Sequence, residues 1–163
     1  MSSLIAHVAA GVTAYACRGV AGPRMRNLPL LGACVALAVL PDLDYLLWWQ
    51  WRLQVEPRIT HSLGFAAGSA GLAWALLRGW RPVGAVKPAS LAFTLSAAAA
   101  SHELLDFLVG VHASPWLWPF SSATATSPLG VLPSAARLDL GNVYLWRNLF
   151  IELALLGPVM LGL

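Results

Sequence analysis

Histidine and acidic residues occur in this chain inside segments that are otherwise apolar. The chain has seven acidic residues and four histidines, and eight of these eleven fall in or beside long apolar segments: His7, Asp42, Asp44, His61, His102, Glu103, Asp106 and Glu152. The ten Lys and Arg residues lie between these segments or at their ends. A carboxylate in apolar surroundings is costly unless it is compensated. The residue types therefore predict a polar site that either binds a metal cation or holds protonated acids.

The spacing of these residues favours the metal. His102 and Asp106 are four residues apart, so they share one helix face, where an imidazole and a carboxylate can bind one cation. Asp42 and Asp44 would point apart on a regular helix. Either Pro41 distorts that turn so that both reach the ion, or one of them orients a ligand. Taken alone, each pair could instead be a helix cap or an internal hydrogen bond.

The composition indicates a membrane protein. The chain is 58% hydrophobic and 10% charged, with a mean hydropathy of +0.69, whereas a soluble domain has about 25% charged residues. The net charge of +3 comes from scattered bases without a basic patch, so we expect no nucleic-acid partner. Cys17 and Cys34 form no CxxC motif, and we expect both to be buried thiols.

The apolar segments predict an all-α polytopic membrane protein of a single domain, with five transmembrane helices around an intramembrane metal site. A membrane-spanning helix needs about 20 apolar residues. The predicted helices cover residues 4–20, 28–51, 60–80, 88–111 and 143–163. Residues 112–142 are rich in Ser, Ala, Pro and Thr, and we expect them to form a loop that lies at the membrane interface or dips into the membrane as a lid.

The alternating direction of the predicted helices brings the candidate residues to a similar depth on one side of the membrane. Six Lys and Arg residues fall in the two links on the opposite side, and four fall on the side of the site. Because the more basic side usually faces the cytoplasm, we expect a bacterial inner-membrane protein whose site lies toward the periplasm.

Five short motifs carry a resemblance to a known family. They are Ala6-His7 with Gly11, Leu40-Pro41-Asp42-Leu43-Asp44, Thr60-His61-Ser62, Ser101-His102-Glu103-Leu104-Leu105-Asp106, and Trp118-Pro119-Phe120-Ser121. In this order, the set resembles the YdjM-type membrane-bound, metal-dependent hydrolases, which are distantly related to zinc-dependent phospholipase C and single-strand nucleases. The family's third motif usually reads His-Arg-Gly-x-Thr-His-Ser, and Glu56 stands here in place of its first His.

The resemblance implies hydrolysis of a phosphoester in a membrane lipid or another amphiphile. Two or three divalent ions, expected to be Zn²⁺, would be bound by His7, Asp42, Asp44, Glu56, His61, His102 and Asp106. A metal-activated water would attack, with Asp44 or Glu103 as the proton acceptor and Arg58 as the phosphate-binding residue. A lipid is favoured because a water-soluble substrate would not need a site inside the membrane.

Two other functions fit parts of the pattern. A divalent-metal transporter needs polar residues through the whole membrane, but residues 65–77 contain only Ser69 as a polar side chain. A non-catalytic membrane scaffold could contain a structural metal, although structural zinc sites usually have four ligands. Seven candidate ligands favour more than one ion and open coordination positions.

Overall fold

Six α-helices run through the part of the chain that the structure describes. In this computed structural model the described residues are 3–17, 27–53, 56–79, 86–110, 113–128, 130 and 141–161. The helices are α1 (Leu4–Ala16), α2 (Leu28–Val39), α3 (Asp44–Trp51), α4 (Leu63–Arg78), α5 (Pro88–Val109) and α6 (Val143–Leu161). The predicted all-α class is confirmed.

None of the helices in these described ranges is both long and apolar enough to cross a membrane. Helices α1, α2 and α4 have 13, 12 and 16 residues, fewer than the roughly 20 that a bilayer requires. The longer α5 carries His102, Glu103 and Asp106. The prediction of five transmembrane helices around an intramembrane site is therefore wrong in its spans.

The second predicted helix is interrupted. Leu40–Leu43 form a 3₁₀ turn, η1, between α2 and α3. Pro41 lies in this turn and has no N–H group, so a regular α-helix would lose a backbone hydrogen bond there. The turn changes the direction in which Asp42 and Asp44 project, which a continuous helix would have placed on different faces.

Helix α5 lies at the centre of the packing, against α1, α2 and α4. Its residues Leu91, Leu95 and Ala98 are buried with residues of α2, including Cys34. Helices α1 and α2 approach closely at Gly11, where a Cβ atom would lie 2.8 Å from the backbone oxygen of Cys34. This packing brings α1, η1 and α5 together at one end, where the candidate residues lie.

The two thiols differ in exposure. Cys34 is buried as expected, but Cys17, directly after α1, is exposed. The expectation of a buried thiol is therefore wrong for Cys17. Both cysteines are free of disulfide bonds.

Segment 113–128, the described part of the predicted lid, is attached to α4 and α5. Its ends are joined by paired backbone hydrogen bonds of 3.0 Å between Ser114 and Ala125. The carbonyl of Trp116 accepts a hydrogen bond of 3.1 Å from the backbone N–H of Leu63, the first residue of α4. The Trp116 ring also lies edge-on to Phe107 of α5, with centroids 4.8 Å apart. The predicted lid residues 112, 129 and 131–140 lie outside the described residues.

Candidate metal centre

Four side chains from three parts of the chain converge at this end of the helices. Asp42 comes from η1, His61 from the turn before α4, and His102 and Asp106 from successive turns of α5. Each offers one ligand atom, and these four atoms lie within 4.8 Å of one another. They form a group that could hold a metal ion.

The distances within this group are those of ligands around an ion rather than of hydrogen bonds. His61 Nε2 lies 3.6 Å from Asp42 Oδ1 and 3.6 Å from Asp106 Oδ2. His102 Nε2 lies 3.8 Å and 3.7 Å from the same two oxygens. Hydrogen bonds are shorter than about 3.2 Å, whereas ligands of a tetrahedral zinc ion with bonds of about 2.0–2.1 Å lie about 3.3 Å apart. The four atoms lie within 4.8 Å of one another, so binding of one ion would draw them closer together.

A backbone carbonyl sets the protonation of the His102 ring. His102 Nδ1 lies 2.8 Å from the carbonyl oxygen of Ala38, which can only accept a hydrogen bond, so Nδ1 carries the proton. The lone pair of Nε2 then points toward the two carboxylates. Within the described residues, His102 Nε2 and Asp42 Oδ1 are buried without a hydrogen-bond partner. Burial also lowers the pKa of His102 to about 4, which keeps the ring in the neutral form that binds metals.

His7 extends this group beside His102. Its ring stacks on that of His102, with centroids 4.0 Å apart and an interplanar angle of 16°. Its Nε2 atom lies 3.5 Å from Asp106 Oδ1 and 3.8 Å from Asp42 Oδ2. Each carboxylate thus presents one oxygen to the His61–His102 pair and the other oxygen to His7. Carboxylates with this arrangement can bridge two ions.

Asp44 lies beside the group and binds Arg58. Its two oxygens accept hydrogen bonds of 2.7 Å and 2.8 Å from Nε and Nη2 of Arg58. The hydroxyl of Thr60 donates to the same carboxylate at 3.1 Å and lies 3.1 Å from Nδ1 of His61. Asp44 therefore holds Arg58 and, through Thr60, orients the His61 ring. Its predicted role as a metal ligand or base stays a prediction.

Arg58 connects this ion pair to the metal group. Nη1 donates to the hydroxyl of Tyr45 at 3.1 Å, and the guanidinium lies 4.4 Å from the centroid of that ring. Nη2 also lies 2.9 Å from Nε2 of His61. Burial lowers the pKa of Arg58, but the hydrogen bond to Asp44 and the nearby charges of Tyr45, Asp44 and Asp42 together outweigh it and leave the pKa raised. A metal bound to His61 Nε2 would displace this one contact, while the pair with Asp44 could remain.

Glu103 lies next to the group and lines a small cavity. Asp106 lines the same cavity, and segment 113–128 closes it with Ser114, Trp116 and Ser127. Glu103 is 3% exposed, and within the described residues its Oε1 atom has no hydrogen-bond partner. Burial, followed by the nearby charge of Asp106, raises the pKa of Glu103 to about 8. Glu103 is thus a buried acid that faces a cavity reaching a metal-site carboxylate.

The remaining predicted ligand lies elsewhere. Glu56 is exposed in the segment between α3 and α4 and is not part of the four-residue group. It stays a prediction based on the position of a histidine in related sequences.

Three structural features that contribute to the site or to its surroundings were not predicted from the sequence. The Ala38 carbonyl and Tyr45 carry no signal in the sequence, because their roles depend on which segments they face. The pairing of Ser3 with Glu152 was also missed. The only available signal was that Glu152 is an acid in an apolar segment.

Together these features define a class: an all-helical protein with a His–Asp site that could hold a metal ion. A sequence profile of the YdjM inner membrane protein family matches residues 1–161, and the chain belongs to this family. The resemblance to that family is therefore confirmed, and the description of the family supports location at the inner membrane. The comparisons with curated proteins and with solved structures gave no match.

Proposed function

We propose that this protein is a metal-dependent hydrolase that cleaves a phosphoester of a membrane lipid or a similar amphiphile. The observation that carries the proposal is the pair of carboxylates, Asp42 and Asp106, each of which presents one oxygen to the His61–His102 pair and the other oxygen to His7. A structural zinc site usually has four ligands around one ion. A site in which two carboxylates each offer their two oxygens to different histidines is instead typical of hydrolases that hold two ions about 3.5–4 Å apart.

The donors suit Zn²⁺, which binds imidazole nitrogen and carboxylate oxygen. One ion would be held by Asp42, His61, His102 and Asp106, and the second by His7 and the opposite oxygens of the two carboxylates. Such ions, when bound, lower the pKa of a coordinated water and stabilise charge on phosphoryl oxygens.

The neighbouring residues supply the remaining functions of a phosphoesterase. Glu103 faces the cavity beside Asp106, so its carboxylate, when ionised, can accept a proton from water there. Arg58 lies at the edge of the site with its side chain 20% exposed, and its guanidinium can bind two oxygens of a phosphate. Asp44 holds Arg58 in place, or serves as the base if Glu103 does not.

An amphiphilic substrate fits the surface beside the site. Segment 113–128 walls the cavity, and its residues Leu117 and Phe120 are 62% and 94% exposed. Exposed apolar groups next to a polar site can hold the acyl part of a lipid while its headgroup enters. We infer that this segment controls substrate entry and, from the distribution of Lys and Arg, that the site faces the periplasm.

The decisive experiment measures metal content by elemental mass spectrometry in detergent-purified protein. We expect about two equivalents of zinc in the wild type, loss of zinc in a His102→Ala/Asp106→Ala variant, and hydrolysis of a phospholipid or a chromogenic phosphodiester by the wild type alone. Ser101→Ala is the matched control, because the Ser101 hydroxyl donates a hydrogen bond of 2.7 Å to the carbonyl of Ala98 in its own helix.

Two outcomes would contradict the proposal. If the wild type binds no divalent metal after incubation with zinc or manganese, the metal site does not exist and the buried acids must be protonated. If it binds zinc but hydrolyses no phosphoester, a structural role for the metal becomes the better interpretation. Saturable metal flux into liposomes would instead support a transporter.

A further inference from the structure

A buried carboxylate in the last helix is bound to the start of the first. Glu152 of α6 is 2% exposed. One of its oxygens, Oε1, accepts a hydrogen bond of 2.9 Å from the backbone N–H of Ser3, and the other, Oε2, accepts one from the hydroxyl of Ser3. These contacts join residues that are 149 positions apart. Nothing in the metal group accounts for this acid.

The contact occurs at the N-cap of α1. The hydroxyl of Ser3 accepts a hydrogen bond of 3.1 Å from the backbone N–H of Ala6 while it donates to Glu152. Ser3 is thereby held in one orientation by both partners. The N-terminal end of a helix also carries partial positive charge, which favours an anionic carboxylate. Glu152 therefore fixes the first turn of α1.

That first turn carries His7. The backbone N–H of His7 donates to the carbonyl of Ser3 at 3.2 Å, so the two residues are one helical turn apart on the same face. The His7 ring is fully buried, and its Nε2 atom lies 3.5 Å from Asp106. A displacement of Ser3 would rotate or translate this turn and would move the ring relative to both carboxylates.

We propose that Glu152 is a positioning residue for His7: by holding the N-cap of α1 it fixes the imidazole against Asp42 and Asp106, and so determines affinity for the second ion. This inference rests on the proposed function for the identity of the ion. It assigns no direct contact between Glu152 and metal or substrate. The other four ligands come from η1, the turn before α4, and α5, none of which contains Ser3 or Glu152.

The test compares two substitutions of the acid with a control on α1. Glu152→Ala removes both acceptors, whereas Glu152→Gln keeps the acceptor for the backbone N–H of Ser3 but loses the acceptor for its hydroxyl. The control is Thr13→Ala, because the hydroxyl of Thr13 bonds the carbonyl of Ala9 within α1 at 2.9 Å. Zinc binding is measured by calorimetric titration, and the ring signals of histidine-labelled, metal-free protein are measured by NMR.

We expect Glu152→Ala to lower the affinity for the second zinc ion by about 10–100-fold, as loss of an orienting partner typically does. The affinity for the first zinc ion should fall by less than about threefold. Glu152→Gln should have a smaller effect in the same direction, and Thr13→Ala none. The NMR signals of the His7 ring, assigned with a His7→Gln variant, should shift in both Glu152 variants while those of His61 stay in place.

Several results would overturn the inference. Unchanged His7 signals together with unchanged zinc affinity would show that the contact does not position the ring. An equal loss of both zinc equivalents would show a general structural role for Glu152. If Glu152→Ala does not fold, Glu152→Gln decides, since it conserves size and one hydrogen bond. If the wild type binds no zinc, the proposed function fails, but the His7 signals still decide the positioning role.

Discussion

At the scale of single residues, the site depends on which atoms remain available after the local hydrogen bonds are made. The Ala38 carbonyl holds the proton of His102 on Nδ1 and leaves Nε2 for a ligand bond. Asp44 is an acid of the same motif as Asp42, but Arg58 binds both of its oxygens. Two carboxylates separated by one residue therefore have different surroundings, and we expect them to have different roles.

Asp42→Asn should remove one direct metal ligand without harming the fold. We expect zinc affinity to fall by about 100-fold or more, since loss of an orienting partner alone typically costs 10–100-fold. The metal-free protein should melt at the same temperature or higher, because the ligand oxygens of Asp42 and Asp106 lie within 4.8 Å and the substitution removes repulsion between like charges. Calorimetry and thermal melting measure both effects. Unchanged zinc affinity would exclude Asp42 as a ligand.

Arg58→Ala should destabilise the protein more than loss of an exposed cation does. The side chain of Asp44 is 6% exposed and would remain charged without its partner, which typically costs about 3–5 kcal/mol. Adding Asp44→Asn to Arg58→Ala should recover most of the lost stability, because no unpaired charge is then buried. Arg78→Ala is the control, since the Arg78 cation stacks on Trp74 at 4.7 Å from the ring centroid. Equal effects of Arg58→Ala and Arg78→Ala in denaturant unfolding would refute the expectation.

At the scale of elements, α4 packs closely against segment 113–128, which covers the cavity. This packing keeps the site closed on one side. At Gly64, in the first turn of α4, an added Cβ atom would lie 2.2 Å from the carbonyl oxygen of Trp118 and 2.9 Å from Pro119. The backbone of segment 113–128 can pass over α4 only because this residue has no side chain. The glycine thus determines how close the segment lies to the cavity.

Gly64→Ala should push segment 113–128 away from α4. We expect a loss of about 1–3 kcal/mol in the free energy of unfolding, as for overpacking in a core, together with faster proteolysis of the segment. Gly68→Ala is the matched control one turn later, where a Cβ atom would meet nothing within 4 Å. That substitution should stabilise α4 by about 0.5–1 kcal/mol. Similar stability of the two variants would show that the contact with Trp118 is easily rearranged.

At the scale of the whole molecule, apolar side chains cover much of the surface. Large hydrophobic residues are exposed on every helix described, and examples far apart in sequence are Leu72, Phe93, Val143 and Phe150. Only 10% of the chain is charged. Such a surface is typical of proteins that contact lipid or a partner. It agrees with membership of an inner membrane protein family.

The apolar surface predicts how the protein associates with membranes. In cell fractionation we expect the chain to be recovered with the membrane fraction, to stay there in high salt, and to be released by detergent. The physical reason is that salt screens charge–charge contacts but does not weaken apolar contacts. A tagged peripheral protein bound through basic residues serves as the control. Release of the chain by salt alone would contradict the expectation.

The sequence by itself determined the residue types of the site, the all-α class and the family. It also determined that His102 and Asp106 share one helix face. These features depend on composition and on neighbours one helical turn apart. It misjudged the transmembrane helices, because a count of apolar residues does not show where a helix ends or is interrupted, as at η1. Only the tertiary structure decided that Asp44 faces Arg58 and that Ser3 binds Glu152. It also decided that the carboxylates of Asp42 and Asp106 each contact both His7 and the His61–His102 pair. These contacts join segments distant in sequence, and they form only where helix packing brings the partners within bonding distance.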